Sequence, residues 1–483
     1  TTAPIQFGRA PDPFGAPLKG GLDEVVIWDQ VLSTEEIGLK AFVIVRGDAE
    51  GLLASYHFDE NSGSIAYDSG PQDIHAQIDG ANIGQSTSDI PVRWLGTMSA
   101  SWTEQENWSS GIIPQTDDNL VITALGNSPI IAATDVVEIN DLMINQGASL
   151  TLESGGILAI NGEAINNGTF TTKRIPEANG KYSMVGSPLV NANVSDFGAD
   201  VMVAYDPLVG EYTGATGTAF PGTGYFTAYF NPEPEITLMG TPSTGEINVP
   251  LISSLGPTSS YNLVANPYTA PIAYDEFVMA NQLAISGAIW LRDDGGINAN
   301  DSRFGDYVTV NSLGVVAAAQ GSTGSVWNGN LASFQGFFVR KISSGNNLTF
   351  TPAMQVTTAG SNSDVNHFRS GGGAPIQSIK LALSNKKQYN EVIVALSDQA
   401  TFDEDQHLDA AKIKGNPHFS FYSWLNGEAF AIQAVPKPDQ SIMESSVPLG
   451  FDIDEPGDFQ LSVVEFNNDS DEYSIFLIDH LLG

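Results

Sequence analysis

The side chains best suited to chemistry in this chain are short acids and amides gathered in two loops. Asp293, Asp294, Asn298, Asn300 and Asp301 fall within the glycine-broken segment RDDGGINANDSRFGD, and Asp403, Glu404, Asp405 and Asp409 fall within TFDEDQHLDA. Oxygen ligands of this kind suit a hard cation, so both loops are candidate Ca²⁺ sites. Neither is an EF-hand, because the 1-3-5 spacing and the closing Glu are missing. The competing reading is a solvated acidic loop, with Asp409 capping a helix or turn. Other chemistry finds less footing. Glycoside cleavage needs two carboxylates facing one cleft, and no strand carries an E-x-D-x-x-E alternation; Asp59 and Glu60, after His57, read as turn residues. There is no G-x-S-x-G elbow, and the six histidines show no zinc-type spacing. A Ser-His-Asp triad can be scattered along a chain, so spacing does not test it. With no cysteine, disulfides, thiolate metal sites and cysteine nucleophiles are excluded. The chain is expected to be non-enzymatic.

Charge narrows the partners. Lys+Arg 19 against Asp+Glu 56 leaves a net charge of −37, with no basic cluster to offset it. Such a surface repels nucleic-acid phosphates and anionic lipid headgroups, so nucleic-acid binding and membrane insertion are not expected. No run approaches the roughly 18 apolar residues of a membrane span. The opening TTAPIQFGRAPDPFG carries no signal peptide and reads as mid-domain, and SIFLIDHLLG stops on a strand. Both ends are therefore expected to be cut from a longer polypeptide.

The elements that must hold these loops are short strands. In 483 residues, Gly 49 and Pro 26 punctuate brief apolar runs, the texture of an all-β chain with several cores. Val25–Trp28 reads as a strand buried on both faces, Ser33 and Glu36 as a capping box, and Leu53 to Phe58 as an alternating strand entering an Asn-Ser-Gly turn. Farther on, Leu142, Leu150 and Leu158 recur every eight residues, as do Ile144, Leu152 and Ile160, with Gly147, Gly155 and Gly156 at corners. A short strand plus a corner, repeated, is how a three-sided parallel β-helix turns. Trp94, Trp102 and Trp108 would cap its core, the other reading being a sugar-stacking platform. From 173 to 360 the chain reads as duplicated. KYSMVGSPLV matches YNLVANPYTAPI, GTGYFTAYF matches FQGFFVRKI, and EITLMGTP matches NLTFTPAM, with longer loops in the second copy. Seven alternating runs after residue 375, from IQSIKLAL to SIFLIDHLLG, suggest a β-sandwich.

Several of these stretches resemble known modules. GLDEVVIWDQVLSTEEI and GLLASYHFDENSGSIAYDSG resemble the tail of a LamG-type, concanavalin-like jelly roll. The tryptophan-rich opening of the β-helix, the Y-x-L-x-x-N-P-Y…QGFFV order and NEVIVALSDQATFDEDQHLDAAKI resemble modules of Bacteroidetes surface proteins exported by the type IX system. The acidic turn of TFDEDQHLDA matches the acidic turn of those terminal modules. The expected fold is all-β, a multidomain string: jelly-roll remnant 1–93, short parallel β-helix 94–172, sandwich copies 173–250 and 251–360, linker 361–375, and a truncated terminal sandwich 376–483. The resemblance implies an extracellular, cell-surface adhesin or appendage subunit that contacts copies of itself, glycans or other surface proteins, with Ca²⁺ as the candidate cofactor. The alternative is the carbohydrate-binding accessory region of a secreted polysaccharide-degrading enzyme.

Overall fold

The computed structural model describes residues 5–7, 22, 24–33, 37, 49–58, 63–78, 91–176, 178, 180–254, 260–293, 306–317, 328–342, 347–358, 377–386, 388–416, 418–438, 445–454, 456–467 and 474–478. The expected linker 361–375, Glu36 of the capping box and the Asn-Ser half of the first turn lie outside them. The protein is all-β, with one eight-residue helix, Tyr274–Asn281, and a few 3-10 turns among the described residues. In the first segment Val25–Trp28 pairs antiparallel with Leu52–Tyr56. It is half-buried throughout rather than buried on both faces, and it packs on a small core around Ala54, Tyr56 and Ala66.

The eight-residue periodicity builds a three-sided parallel β-helix. One face stacks Val92–Trp94, Leu120–Ile122, Leu142–Ile144 and Ala164–Asn166, with Leu120 beside Leu142 and Leu142 beside Ala164. The second stacks Ile130–Ile131, Ser149–Leu152 and Thr169–Arg174, and the third Val136–Ile139 and Ile157–Ile160. Leu142, Leu150 and Leu158 point inward from successive faces and are at most 1% exposed. Gly147 and Gly155 turn the corners at φ 80° and 93°, where a Cβ would be strained. At the leading end Trp94, Trp102 and Trp108 form a cluster with ring centroids 4.6 to 6.4 Å apart, and all three are buried. The indole N–H groups of Trp94 and Trp108 are spent internally, on Asn127 O (2.6 Å) and Trp102 O (2.9 Å). They are the cap, not an exposed platform.

The duplication is visible as topology. The first copy orders its strands Tyr182–Val185, Tyr225–Ala228, Val201–Asp206, Glu211–Gly214; the second repeats that order with Tyr261–Ala265, Gly336–Lys341, Ile285–Asp293, Asp306–Asn311, and adds Gly314–Val316. The two copies meet across a local pseudo-twofold. Gly186 N donates to Phe334 O (2.9 Å) and, in the matching place, Ala265 N donates to Gly222 O (3.0 Å). Paired bridges, Val185 with Gln335 and Thr223 with Val264, repeat the relation. At the centre the backbones approach so closely that a Cβ on Gly186 would lie 2.2 Å from that of Ala265.

The expected boundaries run through shared packing. The strand Thr169–Arg174 closes the β-helix and also pairs with Ile236–Met239 of the first copy, so residue 172 divides a single element. Ile247–Pro250 pairs with Asn347–Phe350 and so belongs to the second copy. One core joins the β-helix to the first copy, and another joins both copies to the terminal module through Trp290, Phe338, Ile393 and Ile432. That terminal module is one curled sheet, a half-barrel ordered Leu449–Ile453, Phe419–Leu425, Glu428–Pro436, Tyr389–Ser397, Gln377–Ser384, Gln460–Asn467. Its inner face holds Leu381, Leu383, Val392, Phe419 and Phe421. The last apolar run predicted as a strand, residues 474–478, forms none.

Candidate functional sites

The first acidic loop, with Asp294, Asn298, Asn300 and Asp301, lies outside the described residues; Asp293 ends the strand Ile285–Asp293 that leads into it. The second turns inward. Asp409, 3% exposed, accepts hydrogen bonds from Ala434 N and Asp405 N, each at 2.7 Å. Asp405 accepts from Thr401 N at 2.6 Å and from Thr401 Oγ1 at 3.1 Å. Asp403 accepts from Asn426 Nδ2 at 3.2 Å, and Glu404 pairs with Arg340 Nη1 at 2.5 Å. Asp405 and Asp409 accept from donors within this turn, whereas Asp403 and Glu404 pair with Asn426 and Arg340 outside it. Burial pushes the Asp409 carboxyl up to about 6, against its two backbone donors and with help from the charges of Asp405 and Glu404. Among the described residues no group of three or more histidines and acids is arranged to hold a metal ion.

Sequence reasoning passed over two polar clusters. In the first segment His57 Nδ1 lies 2.7 Å from Glu24 Oε2, and His57 Nε2 lies 2.6 Å from Ser69 Oγ. This order of acid, imidazole and hydroxyl is that of a nucleophile and its base. The surroundings favour a structural role. Ser69 Oγ also donates to Ser55 O (3.3 Å), Ser69 N is spent on Ser55 O (2.9 Å) and Gly70 N on Asp68 Oδ1 (2.7 Å), so these amides do not serve an oxyanion. Asp68 organises the same turn. Burial alone would raise its pKa, but donors from Ser55, Ile74 and Gly70, together with His75, hold it below the usual carboxylate range.

The second cluster fastens the half-barrel to the second copy. Lys412 Nζ, fully buried, lies 2.9 Å from Asp306 Oδ2. Asn390 Nδ2 donates to the same oxygen at 2.7 Å, and Gly415 N donates to Oδ1 at 3.0 Å. Around it Trp290 Nε1 donates to Ala411 O (2.9 Å), Asn311 Nδ2 to Leu408 O (2.6 Å) and Ala317 N to Glu391 Oε2 (2.8 Å). A buried ion pair persists where further hydrogen bonds support it, and Asp306 accepts from Lys412, Asn390 and Gly415 together. Sequence offered no signal for this pair, since Lys412 and Asp306 are 106 residues apart.

The geometry defines an all-β protein in which a short β-helix, a duplicated module and a half-barrel share cores. The chain belongs to a family described as a domain of unknown function, DUF8693, whose model matches residues 93–174 and 160–483. No curated protein matches the chain, and no solved structure does.

Proposed function

We infer that this chain is a non-enzymatic structural protein of the cell exterior, an adhesin or a subunit of a surface appendage that attaches to cells or substrates and assembles with copies of itself. Continuity of packing is the observation that carries the reading. From Trp94 to Ile432 the modules merge through shared cores, and the half-barrel is locked on by the Asp306–Lys412 network. Joined in this way, the modules resist being pulled apart one by one, a property suited to a protein that must hold a fixed shape outside the cell. The net charge of −37 suits exposure to salty water and a repertoire of extracellular partners without nucleic acid or membrane insertion. Export by a Bacteroidetes type IX system, the class its motifs resemble, belongs to this reading, as does Ca²⁺ at the acidic loop 293–301. The burial of all three β-helix tryptophans removes one sugar-stacking surface from the accessory-domain alternative. The test is the mass of the native particle by mass photometry, with and without a calcium chelator. A large uniform assembly is expected; a monomer that binds a glycan array instead would overturn the reading.

A further inference from the structure

The buried cluster that seats the half-barrel holds more than an ion pair needs. Among the described residues Lys412 is the only buried lysine, and its side chain is wholly out of solvent. Its Nζ lies 2.9 Å from Asp306 Oδ2, and Asn390 Nδ2 donates to that same oxygen at 2.7 Å. Two nitrogens held on one oxygen at these distances are close neighbours. Asn390, 1% exposed, is oriented from both ends of its amide, since its Oδ1 accepts from Phe421 N at 3.2 Å. The other oxygen of Asp306 accepts from Gly415 N at 3.0 Å, which holds the carboxylate from its far side. An amine, a carboxamide and a carboxylate shared between them are the parts of an amide exchange. The amine is the nucleophile and the carboxylate carries protons. The backbone N–H on Oδ1 steadies the charge that develops there when Cγ is attacked.

We propose that Lys412 and Asn390 become joined by an amide bond, Nζ to Cγ, which the chain forms by itself with Asp306 as the proton carrier. Nζ gives a proton to Asp306 Oδ2 and attacks Cγ. Once Cγ is tetrahedral, Nδ2 is an amine that takes this proton from Asp306, and a second proton follows the same route from Nζ. The Nζ–Cγ bond forms, the Cγ–Nδ2 bond breaks, and Nδ2 leaves as ammonium. Asp306 ends as the carboxylate it was at the start, and the balance needs no oxidant and no co-reactant. Positioning turns an encounter between two sluggish partners into a step within one molecule. The placement adds a condition. Lys412 and Asn390 both belong to the half-barrel, Asn390 on the strand Tyr389–Ser397, whereas Asp306 opens the strand Asp306–Asn311 of the second copy. The bond therefore waits for docking. Once made, it closes residues 390–412, acidic turn included, into a loop that unfolding does not open. The inference goes beyond the adhesin reading and does not depend on it.

Intact mass of the full chain, measured unfolded, tests the bond. The wild type is expected to be lighter than its sequence by one ammonia, and a protease digest to contain a branched peptide that joins Lys412 to Asn390. Asp306→Asn keeps the size of the side chain and removes the proton carrier, so the bond should form about 10²–10⁴-fold more slowly. Asn390→Ala and Lys412→Met should each show the full mass of their own sequence. An ion pair with a structural role alone would change stability in these variants but leave the wild type at its sequence mass. That wild-type result would overturn the proposal whether or not any variant folds. A loss of ammonia without the branched peptide would also overturn it, as would a link from Lys412 to Asp306 with loss of water.

Discussion

Glu211 and Asp306 open corresponding strands in the two copies of the duplicated module, each beside a tyrosine, and their fates differ. Glu211 pairs with Asp206 across a hairpin closed by residues 207–210, and it is exposed. Asp306 pairs with Asp293 across residues 294–305, and it is 4% exposed. The same place in the fold therefore carries a solvated acid in one copy and a buried ion pair in the other. Val203 and Trp290 diverge likewise: each sits opposite the corresponding phenylalanine, Phe226 or Phe338, but Trp290 alone reaches across to Ala411. The second copy has a neighbour, the half-barrel, and its residues changed to meet it. Strand order survived the divergence because the pairing that sets it is made of backbone.

The largest effect should separate the two acids. Asp306→Ala leaves Lys412 buried and unpaired, a loss of about 3–5 kcal/mol, whereas Glu211→Ala should stay within about 0.5 kcal/mol. Denaturant melts of the two variants measure the difference; equal effects would show that the buried network does not anchor the half-barrel. A smaller effect tests the pseudo-twofold. Gly186→Ala forces its new Cβ against Ala265 and should cost about 1–3 kcal/mol. Ala265→Gly in the same chain should recover part of that and leave the part owed to Thr223 O, 2.7 Å from the new Cβ, since contacting sites are not additive; strict additivity would mean that the Cβ contact with Ala265 carries no strain. Smallest is a pH effect at the contact between the half-barrel and the second copy. The folded pKa of Asp409, about 6, lies above its ordinary 3.8, so the folded state binds that proton more tightly. Its contribution to stability is full below about pH 4 and fades as pH rises through about 6. Asp409→Asn should flatten the slope of melting temperature across that window while lowering stability overall, because one backbone donor loses its acceptor. An unchanged slope would assign the titration to another group.

What the sequence disclosed was whatever repeats or alternates. The recurrence of Leu142, Leu150 and Leu158 gave the β-helix because each face needs one inward side chain at the same phase. The matched runs around Tyr182 and Tyr261 gave the duplication because a pairing order is written in strand spacing. Clusters assembled from distant residues stayed hidden. Asp306 with Lys412, and Glu24 with His57 and Ser69, come together only when sheets pack, and no local pattern marks them. The partners of the acids in TFDEDQHLDA, backbone N–H groups on Asp405 and Asp409 among them, are likewise not written in composition. The terminal runs were read correctly as strands up to Asn467, whereas residues 474–478, also read as a strand, form none.

The register of the β-helix also bears on the order in which the molecule can form. Each parallel rung closes a loop of about one turn, as from Leu120 to Leu142, so the chain entropy lost per contact is small. The bonds that seat the second copy on the β-helix are of another scale: Thr269 Oγ1 to Leu158 O spans 111 residues, and Gln355 Nε2 to Ile160 O spans 195. Near contacts therefore offer a cheap nucleus and far ones a late reward. A chain built this way can wind its solenoid first and use it as a template, with the half-barrel docking after the surface it needs has come into being.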